Sequence, residues 1–308
     1  MSRSNTRIIP ADAAGIAEAA ALIRAGACVA VPTETVYGLA ADATDAAAVA
    51  GIYAAKGRPA FNPLIVHVAD MGMAEELAQF DAAARALAAR YWPGPLTLVL
   101  PHRGTLPAIV TAGLPTVALR MPAHPAMRAL IAAVGRPLAA PSANLSGTIS
   151  PTRAAHVMKT LAGRIPLILD AGATAAGLES TIVKVADGCT RLLRPGPIGA
   201  DELSAVVPDG PAAVEAPGQL SSHYAPHKPL RLDAETALPD EYLIGFGAVA
   251  GDATLSADGN LVEAAARLFD LLHQADESDR ARIAVAPVPA KGLGLAIRDR
   301  LARAAHRG

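Results

Sequence analysis

The sequence has few aromatic residues, two cysteines and no long apolar run. Phe, Trp and Tyr make up 3% of its 308 residues, so a core would consist mainly of Ala, Val, Leu and Ile, for which the 52% of hydrophobic residues is ample. The sequence contains two cysteines, Cys28 and Cys189, which are too few for a disulfide framework or a cysteine-rich zinc site. Because no apolar run reaches about 18 residues and residues 1–10 lack the apolar segment of a signal peptide, we expect a cytoplasmic protein without membrane contacts.

Charge of either sign is not in excess either. The chain has 27 Lys and Arg against 28 Asp and Glu, a formal net charge of −1. A protein that holds nucleic acid by bulk electrostatics needs a basic surface, so that class is disfavoured. A balanced total does not exclude a strongly basic cleft.

Two common ligand-binding signatures are absent or interrupted. No G-x-x-x-x-G-K-[ST] segment occurs, so the chain is not a P-loop enzyme. GFG (245–247) follows a predicted strand, as in a dinucleotide-binding motif, but the next helix begins only near Leu261, which favours a plain turn over an NAD site. His223 and His227 have the spacing of a zinc-binding helix, but Pro226 would break that helix; linker packing or a substrate contact suits them better.

Hydrophobic patterning predicts an α/β chain without strict β-α-β alternation. Strands are predicted at 28–32, 36–42, 63–68, 96–100, 116–121, 137–141, 166–170, 180–185 and 190–194, and helices at 11–25, 45–56, 81–91, 124–134 and 152–162. This order favours a mixed, twisted sheet with helices packed on it, in a first domain over residues 1–207.

The character of the sequence changes after residue 207. Five prolines and no apolar period mark residues 208–230 as a linker. Residues 231–308 then form a small second α/β domain of the Rossmann-like type. Its predicted strands lie at 241–247 and 282–288, and its predicted helices at 261–273 and 295–306.

The segment PTETVYGL (32–39) places Thr33, Glu34 and Thr35 within an otherwise apolar, strand-like region. Three adjacent polar residues do not serve the packing of a buried strand, so we expect them to face a cleft. A polar turn is the alternative interpretation.

The segment KGRPAFNPLIVHV (56–68) combines two cations with an Asn and a His at the entry of a predicted strand. Lys56 and Arg58 follow a helix C-terminus, where cations suit the helix dipole, and that is the structural alternative. However, the chain has five lysines beside twenty-two arginines. A lysine point charge next to an arginine fork is typical of a polyphosphate clamp.

A third segment, APSANLSGTISPT (140–152), leaves a predicted strand with small residues and hydroxyls. Small side chains let a ligand approach the backbone, and polar groups of this kind supply directed hydrogen bonds. A serine-rich loop is the alternative. GLEST (177–181), LLRPG (192–196) and TVALRMP (116–122) add further hydroxyls and arginines at strand edges.

Seven segments in this order and spacing closely resemble the YrdC-like family over about residues 8–205: PTETVYGL, KGRPAFNPLIVHV, WPGPLTLVL, TVALRMPAHP, APSANLSG, GLESTIV and LLRPGPI. The family's K-x-R and S-x-N signatures stand at Lys56–Arg58 and Ser142–Asn144. SSHYAPHKPL (221–230) and the C-terminal GLGLAIRDRLARAA resemble the longer, two-domain members of that family.

The resemblance implies an L-threonylcarbamoyladenylate synthase, a nucleotidyltransferase that converts L-threonine, bicarbonate and ATP to threonylcarbamoyl-AMP and pyrophosphate. The product would serve the modification of tRNA next to the anticodon, with tRNA or tRNA-modification proteins as partners. Mg²⁺ would accompany the ATP and bind mainly through the phosphates, since no carboxylate cluster in the sequence forms an obvious cage. Catalysis would rest on positioning and charge neutralisation.

The resemblance also implies two groups of site residues. The threonine pocket would contain Thr35, His67, Arg120, Ala140 and Ser180, with Arg120 on the amino-acid carboxylate. The nucleotide would be held by Lys56, Arg58, Asn62, Thr116, Ser142, Asn144, Ser150, Arg194 and Tyr224. Lys56 and Arg58 would be the catalytic pair on the phosphates. Because Tyr224 lies in the linker, the linker would act as a lid.

Two other functions compete with this one. A non-enzymatic module could hold double-stranded RNA by shape on a concave sheet, although the near-neutral charge disfavours it. A carbamoyl-transferring maturation enzyme would need zinc-binding cysteine pairs, which the two isolated cysteines exclude.

Overall fold

The computed structural model describes residues 5–186, 188–207, 215–219 and 223–306, and a ten-stranded sheet forms its first part. The strands are β1 (Arg7–Pro10), β2 (Val29–Val31), β3 (Gly38–Asp42), β4 (Ile65–His67), β5 (Leu96–Pro101), β6 (Thr116–Arg120), β7 (Leu138–Ala139), β8 (Leu167–Asp170), β9 (Thr181–Ala186) and β10 (Cys189–Arg194). Their order in space is β1-β8-β2-β3-β7-β4-β6-β5-β9-β10. The sheet contains parallel pairs such as β4–β6 and antiparallel pairs such as β3–β7, so it is mixed, which confirms the predicted fold class.

Helices cover both faces of this sheet. They are α1 (Ala13–Arg24), α2 (Ala46–Lys56), α3 (Met71–Leu77), α4 (Ala82–Tyr91), α5 (Ala108–Thr111), α6 (Pro125–Val134) and α7 (Ala154–Leu161). Strand alternation divides the core between the two layers: Val29 and Val31 of β2 pack with α1 and α6, whereas Ala30 between them packs with α2 and α7.

The helix ends follow local sequence signals. The Asp45 side chain accepts hydrogen bonds from the amides of Ala47 and Ala48 and so caps α2. The helix ends where Gly57 adopts a left-handed conformation with φ of 60°, a geometry that glycine takes without steric penalty. The chain turns sharply there, which places Lys56 and Arg58 on either side of the turn.

A second, four-stranded sheet forms the C-terminal part. Its strands are β11 (Leu230–Arg231), β12 (Glu241–Gly245), β13 (Ala253–Thr254) and β14 (Arg282–Val285), and its helices are α8 (Leu261–Glu277) and α9 (Leu293–Ala305). The order is β11-β14-β12-β13, with every pair parallel. This is the small Rossmann-like arrangement that the sequence predicts.

The two parts share one hydrophobic cluster. The core around β12, α8 and α9 also contains Val36, Ile149 and Leu178 from the first part, together with Tyr224 between the parts. At the edge of this contact Arg153 forms a two-point ion pair with Asp270 of α8. The C-terminal part is therefore packed directly against the loops of the first.

Short elements are what the sequence prediction missed. It does not include β1, α3, α5, β11 and β13, each of which has seven residues or fewer. The strand predicted at 137–141 is longer than β7, which does not include the prolines at either end of that range. Residues 208–214 and 220–222 of the predicted linker lie outside the described residues. Within the described part of the chain, no helix is both long and apolar enough to cross a membrane.

Candidate active site

A cleft opens where β4 and β6 end. Ile65 and His67 of β4 pair in parallel register with Ala118 and Arg120 of β6. Because alternate strand residues face the same side of a sheet, these four side chains share one face, while Val66 enters the core beneath α2. The register thus brings a histidine and an arginine side by side at the carboxyl ends of two parallel strands, where ligands of α/β sheets usually bind.

Nine residues implied by the resemblance line this cleft: Thr35, Arg58, His67, Arg120, Ala140, Ser142, Ser180, Arg194 and Tyr224. They share the walls with Thr33, Val36, Gly38, Ile65, Pro141, Glu179, Pro217, Gly218 and His223. Five implied residues do not line it: Lys56, Asn62, Thr116, Asn144 and Ser150. The cleft lining therefore contains three arginines against one glutamate, Glu179.

The polar run in PTETVYGL is both a turn and a cleft wall. The Thr33 hydroxyl accepts from the amides of Thr35 and Val36, at 3.1 and 3.2 Å, and donates to the Val36 carbonyl. Thr33 and Thr35 nevertheless line the cleft. The two interpretations of this segment, a polar turn and a cleft-facing run, are thus compatible.

Lys56 lies behind the cleft wall rather than in it. Its side chain is buried, and Nζ donates to the carbonyls of Ser142 and Asn144 at 2.5 and 2.6 Å and to Asn144 Oδ1 at 3.2 Å. These three acceptors match the three protons of an ammonium group. Burial, together with the nearby charge of Arg58, holds the pKa of Lys56 well below its usual value. In this structure Lys56 fastens the end of α2 to the S-x-N segment.

Arg58 and Asn62 form a second buried group. Arg58 donates from Nε to the Asn62 carbonyl at 3.1 Å and from Nη2 to the Pro63 carbonyl at 2.7 Å. Burial lowers the pKa of the Arg58 guanidinium to about 10. The amide side chain of Asn62 is 1% exposed, and neither its oxygen nor its nitrogen has a partner among the described residues. A buried amide without protein partners is costly, so this side chain is a candidate ligand contact.

Arg120 is balanced by a carboxylate that the sequence argument did not assign. Its Nη2 lies 2.6 Å from Glu34, Nη1 donates to the Thr35 hydroxyl at 2.9 Å, and Nε donates to the Gly94 carbonyl at 3.2 Å. Burial would raise the pKa of Glu34, but Arg120 holds it below its usual value. Burial, aided by Arg120, lowers the pKa of His67 to about 3, so this imidazole is neutral.

Arg194 is held in the cleft lining by backbone carbonyls. Its Nε and Nη2 donate to the Ser180 carbonyl at 3.1 and 2.9 Å, and Nη1 donates to the Pro217 carbonyl at 3.3 Å. Gly218 follows with φ of 84°, and a Cβ there would stand 2.8 Å from Arg194 Cδ and 2.7 Å from the Tyr224 hydroxyl. Only glycine fits such a gap, so the linker approaches the arginine with bare backbone.

Tyr224 reaches the cleft through an unusual backbone conformation. Its φ is 63°, a left-handed value that is rare for a bulky residue and typical of functional positions. The side chain is buried, its ring is 4.0 Å from that of His223, and its hydroxyl has no partner among the described residues. Burial also lowers the pKa of His223 to about 3.

Two implied residues outside the lining, Ser150 and Asn144, have hydrogen-bond partners of their own. The Ser150 hydroxyl donates to Glu179 at 2.5 Å, and the Asn144 amide donates to the Thr148 carbonyl at 2.8 Å. Thr116 stands at the start of β6, opposite Pro101 in the register and at the far end of that strand from Arg120. Their roles with a nucleotide stay predictions.

Comparison with known families and structures gives consistent matches. A model of the Sua5–YciO–YrdC family, described as "Telomere recombination", matches residues 21–196, and a model described as "Threonylcarbamoyl-AMP synthase, C-terminal domain" matches residues 198–306. A threonylcarbamoyl-AMP synthase of Bacillus subtilis is 44% identical, covering 94% of this chain and 92% of its own length. One from Pyrococcus abyssi is 42% identical, covering 93% and 92%.

Solved structures agree with these matches. The crystal structure of Pyrococcus abyssi Sua5 complexed with L-threonine superposes with a TM-score of 0.89 at 38% identity, covering 98% of this chain and 97% of the other. Escherichia coli YciO has a TM-score of 0.58 at 22% identity over 65% of this chain, which shows a shared fold for the first part.

Proposed function

The chain belongs to the Sua5–YciO–YrdC family, and on that premise we propose that it is an L-threonylcarbamoyladenylate synthase. It converts L-threonine, bicarbonate and ATP to threonylcarbamoyl-AMP and pyrophosphate, and is a nucleotidyltransferase. The observation that carries the proposal is a cleft lined by three arginines, Arg58, Arg120 and Arg194, in a fold that matches a threonine-bound relative.

The wall around Arg120 suits an amino acid. Thr35, His67 and Ala140 line it beside the arginine. Arg120 supplies a cation for the amino-acid carboxylate, and Glu34, which is not among the lining residues, offsets part of the arginine charge. The neutral His67 supplies a hydrogen-bonding group that adds no charge beside the amine.

The wall around Arg58 and Arg194 suits a nucleotide. Two guanidinium groups face a polyphosphate there, and Ser142 adds a hydroxyl. Lys56 acts from behind the lining by fixing the backbone at Ser142 and Asn144. The unpartnered Asn62 amide is a natural contact for the same ligand.

The reaction needs these residues for orientation and charge. The threonine nitrogen attacks the carbon of bicarbonate, water leaves, and a carbamate forms. A carbamate oxygen then attacks the α-phosphorus of ATP, and the bond to pyrophosphate breaks. Arg58 and Arg194 offset the negative charge that accumulates on the phosphates, and Gly218 and Tyr224 in the lining help to exclude water.

Mg²⁺ enters this scheme on the nucleotide. The described residues contain no group of three or more His, Cys, Asp and Glu side chains that could hold a metal ion. We therefore assign the ion to the phosphate oxygens, where it would neutralise part of the charge of the leaving pyrophosphate. The product is an activated carbamoyl donor, which we place in cytoplasmic tRNA modification with tRNA-modifying proteins as its acceptors.

Omission assays test the function. The full chain should release pyrophosphate from MgATP only when both L-threonine and bicarbonate are present. Arg58→Ala should lower kcat/KM at least about 30-fold, equal to about 2 kcal/mol of transition-state stabilisation. Arg128→Ala, on the exposed side of α6, is the matched control and should retain activity. Equal release without threonine, or salt-dependent RNA binding without ATP turnover, would overturn the proposal.

A further inference from the structure

Arg300 is a fully buried arginine of the C-terminal helix α9 that reaches the cleft wall. Its Nε donates to Glu179 Oε2 at 2.7 Å, and its Nη2 donates to the Pro195 carbonyl at 2.9 Å. Its remaining nitrogen pairs with Asp299 at 2.6 Å. The guanidinium carbon lies 5.3 Å from the centre of the Tyr224 ring, within the range of a cation–π contact.

Glu179 connects Arg300 to the cleft lining. The residue lines the cleft, and its second carboxylate oxygen accepts the Ser150 hydroxyl at 2.5 Å. The next residue along the chain, Ser180, holds Arg194 through its carbonyl. Burial would raise the pKa of Glu179, but Arg300 and then Arg194 hold it below its usual value.

Adhesion between the two parts does not require a buried ion pair. Leu178 already packs into the C-terminal core, and the backbone at Gly177 lies so close to α8 that a Cβ would be 2.4 Å from the Ala265 carbonyl. A buried ion pair contributes little net stability, because desolvation offsets much of its attraction. What it does supply is a fixed geometry for both partners.

We propose that Arg300 is a positioning residue of the active site: it fixes the Glu179 carboxylate and the Tyr224 ring, and through them Arg194. This inference rests on the proposed function. The C-terminal part thereby completes the nucleotide site, although none of its described residues, 230–306, lines the cleft. Without Arg300, Glu179 is left a buried carboxylate whose nearest remaining cation is Arg194. It then either takes up a proton or draws Arg194 away from the phosphates.

Four variants of the full chain test this role: Arg300→Met, Glu179→Gln, the double variant, and Arg298→Met. Arg298 lies on the same helix, is half exposed and pairs with Asp233, so it serves as the matched control. We expect Arg300→Met and Glu179→Gln each to lower kcat at least about 10-fold in threonine-dependent pyrophosphate release. The double variant should lose no more than the worse single variant, since both changes break one chain of contacts.

The pH profile separates positioning from stability. On the acid side of the pH profile, the activity of Arg300→Met should begin to fall at a higher pH than that of wild type, because the Glu179 carboxylate has lost the charge that mainly stabilises it. The double variant has no carboxylate at position 179 and should not show this shift. Activities are scaled to the folded fraction measured by circular dichroism. If Arg300→Met does not fold, the near-isosteric Glu179→Gln decides the question. If the folded variants have the kcat of wild type, the positioning role of Arg300 is refuted while the proposed function stands. Absence of release from both wild type and Arg298→Met overturns the proposed function and the inference with it.

Discussion

The contact between Gly177 and α8 allows a sharp test of how the two parts are joined. Gly177 has φ of 69°, and a Cβ there would lie 2.4 Å from the Ala265 carbonyl and 2.5 Å from Ala266 Cα. Both are backbone atoms of a helix and cannot turn away. Gly177→Ala should therefore push α8 off the loop that carries Leu178 and Glu179.

The magnitude follows from two terms. The left-handed backbone costs about 1–2 kcal/mol for a residue with a Cβ, and overpacking costs about 1–3 kcal/mol, so the total is about 2–5 kcal/mol. Gly172→Ala isolates the first term, because Gly172 has φ of 81° and its Cβ would meet no atom within 4 Å. The difference between the two variants measures the contact.

Amide hydrogen exchange is the suitable assay, since a chain with two packed parts need not unfold in one step. Peptides from Leu261–Glu277 should exchange at least about tenfold faster in Gly177→Ala than in wild type, and Gly172→Ala should leave them unchanged. Equal protection of α8 in the two variants would refute the packing argument.

Two further predictions concern the orphan amide and the buried histidines. Asn62→Ala should raise the KM for ATP about tenfold without lowering the free energy of unfolding, because the Asn62 amide has no protein partner to lose. Asn144→Ala, by contrast, should lower the free energy of unfolding by about 1 kcal/mol, because it loses the hydrogen bond to Thr148. A lower Tm for Asn62→Ala with an unchanged KM would contradict this prediction. Burial lowers the pKa of His156 to about 4 and that of His273, stacked on it at 3.8 Å, to about 3. Below about pH 6.5 these histidines take up protons in the unfolded chain but not in the folded chain. The stability they contribute is therefore complete above about pH 6.5 and is lost as the pH falls toward their pKa values in the folded chain. The loss reaches up to about 1.4 kcal/mol per histidine at pH 5.5. Differential scanning calorimetry should show a smaller fall in Tm between pH 7.5 and 5.5 for His156→Gln than for wild type, and an identical fall would count against this assignment.

Local signals in the sequence were enough for the main elements of the first part. Helix α2 begins after the Asp45 cap and ends at Gly57, where predicted, because both signals act within a few residues. The two strands that carry His67 and Arg120 were also predicted, whereas their pairing and register come from the structure alone. Short elements such as β1, an exposed edge strand of four residues, lack enough apolar positions to be seen.

The candidate site was harder to predict wherever a charge has a distant partner. The Arg300–Glu179 pair joins residues 121 positions apart, and no local pattern marks either as buried. Glu34 was expected to face the cleft, but its pairing with Arg120 depends on how the PTETVYGL turn packs against β6. The position of Lys56 behind the wall likewise depends on the S-x-N backbone lying within reach of its ammonium group.

Carbon from bicarbonate in the product is the most direct test of the proposed reaction. The full chain is incubated with MgATP, L-threonine and ¹³C-bicarbonate, and the nucleotide products are separated and weighed by mass spectrometry. We predict a threonylcarbamoyl-adenylate that is one mass unit heavier than the product of unlabelled bicarbonate, formed in equal amount to the pyrophosphate released. Pyrophosphate release with no label in any adenylate would contradict the account.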